Sequence, residues 1–523
     1  MAEPHPRPIV DRRRSVLGRS TVARVIVASM CFATCLVAAL PRTTMAQGMG
    51  GGGMGGGGMG GGGMGGGGMG GGGMGGGGGM GGGGMGGGGG LGSGAAGIVI
   101  DANGVLRTVA VADGGLSIER RKAAVATLAA DLQSRSPLRK VALSRLEAEV
   151  AKAAASGRGI PDELEKLAGL TRVQYVFIYP AGADGQASPG EIVIAGPAEP
   201  WLTDATGRVV GAATGAPTVL LEDLAAALRA FPPGEPTDRS IGCSIDPTQQ
   251  GLADMQAFLR KLGRVNPKAS TGDIVSGMRE SLGPQKVRVD GVSPASHFAQ
   301  VMVEADYRMK LIGIGLERPP VKMSTWIELT SAGGVAANAL QRWYFVPEYK
   351  CVRVAEDDLA IEFVGRGVRL VGADEAVMPD GRRMSADRAS QASKTFTDAF
   401  TKKYPEIAAR HPVYAQLRSM IDLAVAAAYL QEHDAYGRVQ WDAAALRDEQ
   451  ICRIERFQPP TTVEPAINAI WRGNRLLTPI GGGVSLQPRL ALDSPNLLMD
   501  EQGTVSKARE ASLALPAGRW WWD

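Results

Sequence analysis

His297, Glu304 and Arg308 are the side chains of this sequence best spaced to do chemistry together. On a helix, His297, Val301, Glu304 and Arg308 fall at i, i+4, i+7 and i+11, so an imidazole, a carboxylate and a guanidinium share one face. Asp246, in Asp246-Pro247-Thr248 between a strand-like run and a helix, is a further carboxylate that either caps the helix or faces a ligand at the strand's carboxyl end. As an alternative to a purely structural role, this set would suit an extracytoplasmic hydrolase working by general acid–base catalysis, with Asp246, His297 and Glu304 as candidate catalytic groups and Arg308 beside them. The spacing also has a plainer meaning. Glu304 with Arg308, and Asp306 with Lys310, are i,i+4 helix pairs worth roughly 0.3–0.5 kcal/mol each, and helix capping alone accounts for Asp246.

The usual cradles of catalysis are missing. There is no G-x-x-x-x-G-K-[ST] loop, and Gly313-Ile314-Gly315 lacks the third glycine of a dinucleotide fingerprint. G-x-S-x-G, S-x-x-K and H-E-x-x-H are also absent. Beyond residue 46 the histidines are His297, His411 and His433; His411 sits in a charged stretch and His433 at a helix end, places that suit solvated imidazoles. Cys243, Cys351 and Cys452 are about 100 residues apart with no C-x-x-C, which excludes a zinc ribbon or a redox pair. They read as small half-buried apolar residues, with at most one internal disulfide among them. No cofactor is expected.

Residues 1–46 have the order of a cleavable export signal: Arg12, Arg13, Arg14, Arg19 and Arg24, an apolar stretch from Val25 to Leu40, then Thr44-Met45-Ala46. Cleavage fits best after Ala46. The apolar stretch is short of the roughly 20 residues a membrane span needs, and Arg13-Arg14 also suits a twin-arginine route. This segment holds seven arginines against Glu3 and Asp11; removing them from the totals of 56 basic and 52 acidic residues leaves 49 and 50. The basic pI of 8.7 therefore belongs to the leader, and the near-neutral remainder lacks the excess cation that binds nucleic acid.

Residues 47–94 are almost only glycine, with Met49, Met54, Met59, Met64, Met69 and Met74 at five-residue steps. Glycine loses the most backbone entropy on ordering, and one side chain in five buries too little to offset it, so a disordered tether is predicted. Thioethers are soft ligands, which makes Met54, Met59, Met64, Met69 and Met74 candidate copper(I) ligands; the competing expectation is a plain spacer, since glycine-filled steps fix no geometry.

The remainder reads as mixed α/β in three segments, 95–236, 237–380 and 381–523. A hairpin is expected about Asn103-Gly104, followed by helices on Val125/Leu128/Leu132 and Leu143/Leu146/Val150 and strands at Val173–Tyr179 and Glu191–Ala195. Pro232, Pro233 and Pro236 mark a boundary. Beyond it come two strand-then-helix units, the second helix capped by Ser293 with Pro294 at its first position. Runs at Trp343–Val346, Cys351–Val354, Ala360–Phe363 and Val368–Val371 predict an antiparallel meander. A mainly helical region follows, with Ile421–Leu430 buried, and Trp520-Trp521-Trp522 is expected to cover an exposed edge.

The blocks Thr171–Pro180 (TRVQYVFIYP), Glu191–Trp201 (EIVIAGPAEPW), Gly242–Gln256, Ser296–Glu317 (SHFAQVMVEADYRMKLIGIGLE), Arg342–Val354 (RWYFVPEYKCVRV) and Pro412–Leu430 resemble the hallmark segments of a secreted planctomycete family, the domain of unknown function 1598. The likeness spans most of residues 95–490, and Ser296–Glu317 is its most specific part. It implies an exported bacterial protein with a glycine-rich front end, and it brings no activity and no catalytic residue. The expectation from residues and resemblance together is a noncatalytic envelope or surface protein that binds another protein or an envelope polymer. The hydrolase and the copper-binding tract stand as alternatives.

Overall fold

The computed structural model describes residues 98–523 except 102, 109–116, 183–189, 235, 263–270, 331–338, 374, 378–382, 386–389, 469, 473–474, 478–481, 513–515 and 517. The expected leader and the Gly/Met tract, with Met54, Met59, Met64, Met69 and Met74, lie outside these residues.

The fold is mixed α/β, built on two large sheets. The eight-stranded sheet runs in the order Ile98–Ile100, Val105–Thr108, Thr462–Val463, Gln285–Asp290, Ile241–Asp246, Gly482–Leu486, Trp343–Pro347 and Val368–Gly372. The seven-stranded sheet runs Leu498–Met499, Val352–Val354, Ala360–Phe363, Tyr175–Tyr179, Glu191–Ala198, Ser136–Ala142 and Trp521–Trp522. Each draws strands from all three sequence segments, so those segments divide the chain and not the folded unit. The hairpin about Asn103-Gly104 forms, with Gly104 at φ 77°, a backbone state open to glycine at little cost.

Three buried helices pack against one another: α1 (Leu221–Ala230), α2 (His297–Gly313) and α3 (Pro412–Glu432). α2 also lies on the Ile241–Asp246 and Gly482–Leu486 strands. Helices covered on every side are usually apolar all round, yet α2 buries His297, Gln300, Glu304, Asp306 and Lys310. Buried polar groups require partners, and those partners define the site described below.

Several local expectations change. Ser296 caps α2 by accepting from the Ala299 N–H, while Ser293 begins the preceding turn and its hydroxyl bonds Glu455. Thr248, not Asp246, caps the helix Gln249–Lys261. The helix expected through Leu132 ends at Ala126, and Pro137 lies inside a strand. The four strands expected as a meander are present, but they pair two and two. Trp343–Pro347 pairs with Val368–Gly372 in one sheet, and the intervening Val352–Val354 and Ala360–Phe363 pair in the other. The tryptophan run does cover an edge: Trp521 and Trp522 pair with Val141 and Lys140 on the outer strand of the seven-stranded sheet.

Candidate functional site

A cleft of about 290 Å³ opens where the amino-terminal ends of α1 and α2 meet the second turn of α3. α1 brings Glu222 and α2 brings His297, its first helical residue. α3 brings Gln416, and the turn between the short strands Trp201–Thr203 and Val209–Gly211 brings Arg208. That turn is shaped by Asp204, whose Oδ1 accepts from the N–H groups of Thr206 and Arg208. Arg456 and Phe457 come from the segment after α3.

His297 is almost fully buried, and its Nδ1 lies 3.0 and 2.9 Å from the two oxygens of Asp223. Its Nε2 lies 3.4 Å from the amide nitrogen of Gln416. The Gln416 carbonyl oxygen accepts from Arg208, whose guanidinium also donates to both oxygens of Glu304 at 2.6 Å. With its oxygen so engaged, Gln416 presents an N–H to His297. The bonds therefore fit a neutral ring that carries its proton on Nδ1 and a lone pair on Nε2. Burial alone lowers the affinity of this ring for a second proton, but the charge and hydrogen bond of Asp223, aided by Glu222, outweigh it and the pKa moves up. The result is a held tautomer that is a stronger base than a free imidazole.

Glu222 is the acidic counterpart. Burial, reinforced by the neighbouring Asp223 charge, pushes its carboxyl up to about 7 against the pull of His297 and Arg456. Its Oε2 stands 3.9 Å from the Arg456 Nε, beyond hydrogen-bond reach, and has no hydrogen-bond partner. Thr218, which also lines the cleft and is 5% exposed, leaves its hydroxyl oxygen without a partner as well. The cations of the wall are all engaged. Lys166 bonds Asp162 and Glu165 at 2.7 and 2.8 Å, Arg456 bonds Glu165 at 2.9 Å, and Arg208 holds Glu304. Phe457 supplies an aromatic surface, its ring centroid 6.1 Å from that of His297.

The residues singled out from sequence divide between two places. His297 lines the cleft, and the fully buried Glu304 lies behind it in a network with Arg208 and the part-buried Arg308, so Glu304 and Arg308 hold the wall. Their i,i+4 pair is buried, unlike the solvent-exposed pair that the small helix-pair energy describes. Asp246 is elsewhere: it pairs with Arg342 at 2.7 Å, near the other end of α2. There Lys310 donates to Asp306 at 2.8 Å and to the carbonyls of Ile245 and Gly482. The sequence-based set thus exchanges Asp246 for Asp223 and Glu304 for Glu222. Both replacements sit in the first turn of α1, where acids also serve helix starts in general, so nothing local marked them.

The other histidines are not solvated as expected. Burial, with Arg308 and Arg208 nearby, pushes His411 down to about 3, and burial also lowers His433. All three cysteines are buried free thiols. Burial raises Cys452, in the cleft wall, to about 11, which leaves it protonated and unreactive. Among the described residues no group of three or more His, Cys, Asp or Glu side chains is arranged to hold a metal, and no helix is long and apolar enough to cross a membrane.

Residues 243–326 match the model of a protein family described as a protein of unknown function (DUF1598). The match takes in α2 with His297 and most of the Gly242–Gln256 block, and the family description carries no activity. No curated protein and no solved structure matches the chain.

Proposed function

We propose that this chain is an exported bacterial protein of the cell envelope or its surroundings, whose folded unit carries out acid–base hydrolysis in the Glu222–His297 cleft. The observation that carries the chemistry is the pairing of an imidazole fixed by both oxygens of Asp223 with a carboxyl held near 7 in the same wall. Groups whose environments set their proton affinities apart from ordinary values are suited to separate acid and base roles. In the step, a water displaces the long 3.4 Å contact of the Gln416 amide at His297 Nε2, and Nε2 takes a proton from that water as the water oxygen bonds to the scissile centre. Glu222 gives its proton to the leaving oxygen as the old bond breaks. Exchange with solvent then restores both groups, and one water is consumed. The export half of the proposal rests on the order of residues 1–46 and on the charge balance of the remainder.

The chemistry is tested by assaying the protein on chromogenic glycosides, esters and phosphodiesters. Turnover of one class that falls at least a hundredfold in both His297→Ala and Glu222→Gln supports it; turnover that survives both variants refutes it. Amino-terminal sequencing of protein from the native host tests export, with Gln47 expected first.

A noncatalytic binding protein for an envelope polymer or partner is the second reading. It is favoured by the absence of any uncommitted cation or reactive thiol in the wall. Ligand binding in the cleft with no turnover of any bound compound would establish it over the first.

A further inference from the structure

We infer that the cleft takes a neutral, polyhydroxylated ligand, one ring-sized sugar unit, and selects it against anions and amines. The inference rests on the cleft being a ligand site, as proposed above, and adds the chemical class. Size sets the first limit: about 290 Å³ is at the small end of the roughly 300–1,000 Å³ of small-molecule sites.

Charge sets the second. A carboxylate or phosphate ligand needs a cation to receive it, and each cation in the wall is already neutralised from within. Lys166 bonds two carboxylates, Arg456 lies between Glu165 and Glu222, and Arg208 is bound by both oxygens of Glu304. Freeing Arg208 would strand the fully buried Glu304, at a cost of several kcal/mol; Lys166 and Arg456 pair with part-exposed carboxylates, so an anion there competes with existing ion pairs at a smaller cost. An ammonium ligand would need Glu222 ionised, yet burial and Asp223 favour its protonated form.

What the wall leaves unsatisfied is neutral hydrogen-bonding capacity. Thr218 Oγ1 and Glu222 Oε2 belong to cleft residues and have no partner, with almost no accessible surface of their own; a ligand hydroxyl that reaches either through a small side-chain rotation would recover about 1–3 kcal/mol. A hydroxyl both donates and accepts, so it serves the Thr218 hydroxyl in either sense and the Glu222 carboxyl in either protonation state. Phe457 lines the same cleft and gives the apolar face of a sugar ring a surface to rest on.

The test uses the full chain, titrated by NMR and calorimetry at pH 6 with methyl glucoside, methyl mannoside and N-acetylglucosamine, and in parallel with glucuronate, methyl phosphate and glucosamine. At least one neutral glycoside is expected to bind, and to bind at least tenfold more tightly than any charged compound. Thr218→Val and Glu222→Ala should each weaken it about tenfold, the equivalent of one buried hydrogen bond, with Glu222→Gln recovering part of the loss. Circular dichroism of each variant separates lost binding from lost fold. Equal or tighter binding of glucuronate or methyl phosphate overturns the inference. So does glucosamine binding with proton release, indifference of the affinity to Thr218→Val, or no neutral glycoside binding at tens of millimolar. The two proposals fail separately. Glycoside binding without hydrolysis removes the hydrolase and keeps the ligand class, whereas ester turnover without glycoside affinity does the reverse.

Discussion

Arg139 and Asp523, 384 positions apart in the chain, form a two-pronged ion pair, with guanidinium Nε and Nη2 at 2.8 and 3.0 Å from the two carboxylate oxygens. The Arg139 side chain is fully buried, stacks 4.5 Å from the Trp521 ring centroid and donates to the Ala168 carbonyl. Deleting residues 520–523 would strand this guanidinium and uncover the Ser136–Ala142 edge at once. Asp523 is about half exposed, so the loss falls mainly on Arg139, which gives up both its carboxylate and its Trp521 cover, and an uncovered edge invites pairing between chains. The truncated chain should unfold at markedly lower denaturant and aggregate on heating, as followed by circular dichroism and light scattering. Unchanged stability would refute a structural role for the tryptophan run.

Lys310 and Asp306 form a second buried lock, between α2 and the eight-stranded sheet. Burial pushes Asp306 up to about 6 even with Lys310 beside it. Asp306→Ala leaves a buried ammonium held only by two carbonyls, so a loss of about 3–5 kcal/mol is expected. The double variant Asp306→Leu/Lys310→Met removes both charges, leaves no stranded ammonium and should be closer to the parent than the single variant is. A double-mutant cycle in urea reads the difference. A double-variant loss equal to the sum of the losses of Asp306→Leu and Lys310→Met alone would show that the pair has no coupling.

The raised carboxyl of Glu222 has a definite consequence for stability against pH. In the folded chain it ionises at about 7, against 4.5 for an ordinary glutamate. Its contribution is complete below about pH 4.5 and is lost as pH rises through 7, because the unfolded chain ionises first. The whole effect is at most about 3 kcal/mol. Glu222→Gln removes the ionisation, so this variant should gain stability relative to the parent between pH 4.5 and 7 and keep a constant lead above. Urea midpoints from pH 4 to 8 give the comparison, and parallel curves would contradict it. Asp306 also titrates in this window, but it is common to both proteins and cancels; His297, whose pKa Glu222 helps to raise, titrates lower in the variant and changes the shape of its curve in the same range.

Local periodicity brought out His297, which the structure places in the cleft wall, because its spacing to Glu304 and Arg308 on one helix is written in adjacent turns. Its true partners, Asp223 and Gln416, are 74 and 119 residues away, and no helical or strand period reaches that far. The same limit explains the meander. Alternation placed the strands Trp343–Pro347 and Val352–Val354 correctly, but which sheet each joins depends on long-range register. The edge cover by Trp520–Trp522 was readable because three indoles must find apolar surface wherever the chain passes. Asp246 misled because a carboxylate between strand and helix has two common uses, and Thr248 two residues on took the cap.

Gly482 is a glycine for a local reason, its backbone angle and its close neighbours. Gly482 sits at φ 145° in the strand between Ile241–Asp246 and Trp343–Pro347. A methyl group there would lie 2.4 Å from the Trp343 carbonyl oxygen and 2.8 Å from the Lys310 Cε. The Trp343 oxygen belongs to the paired strand and cannot withdraw, and Lys310 is held by three acceptors. Gly482→Ala should therefore combine backbone strain with overpacking and cost at least about 1–3 kcal/mol. It should also displace Lys310, so that the penalty shrinks in the Asp306→Leu/Lys310→Met background if the lysine contact matters. Thermal melts of the four proteins decide this. An undiminished penalty in the charge-free background would assign the whole effect to the Trp343 carbonyl and the backbone angle.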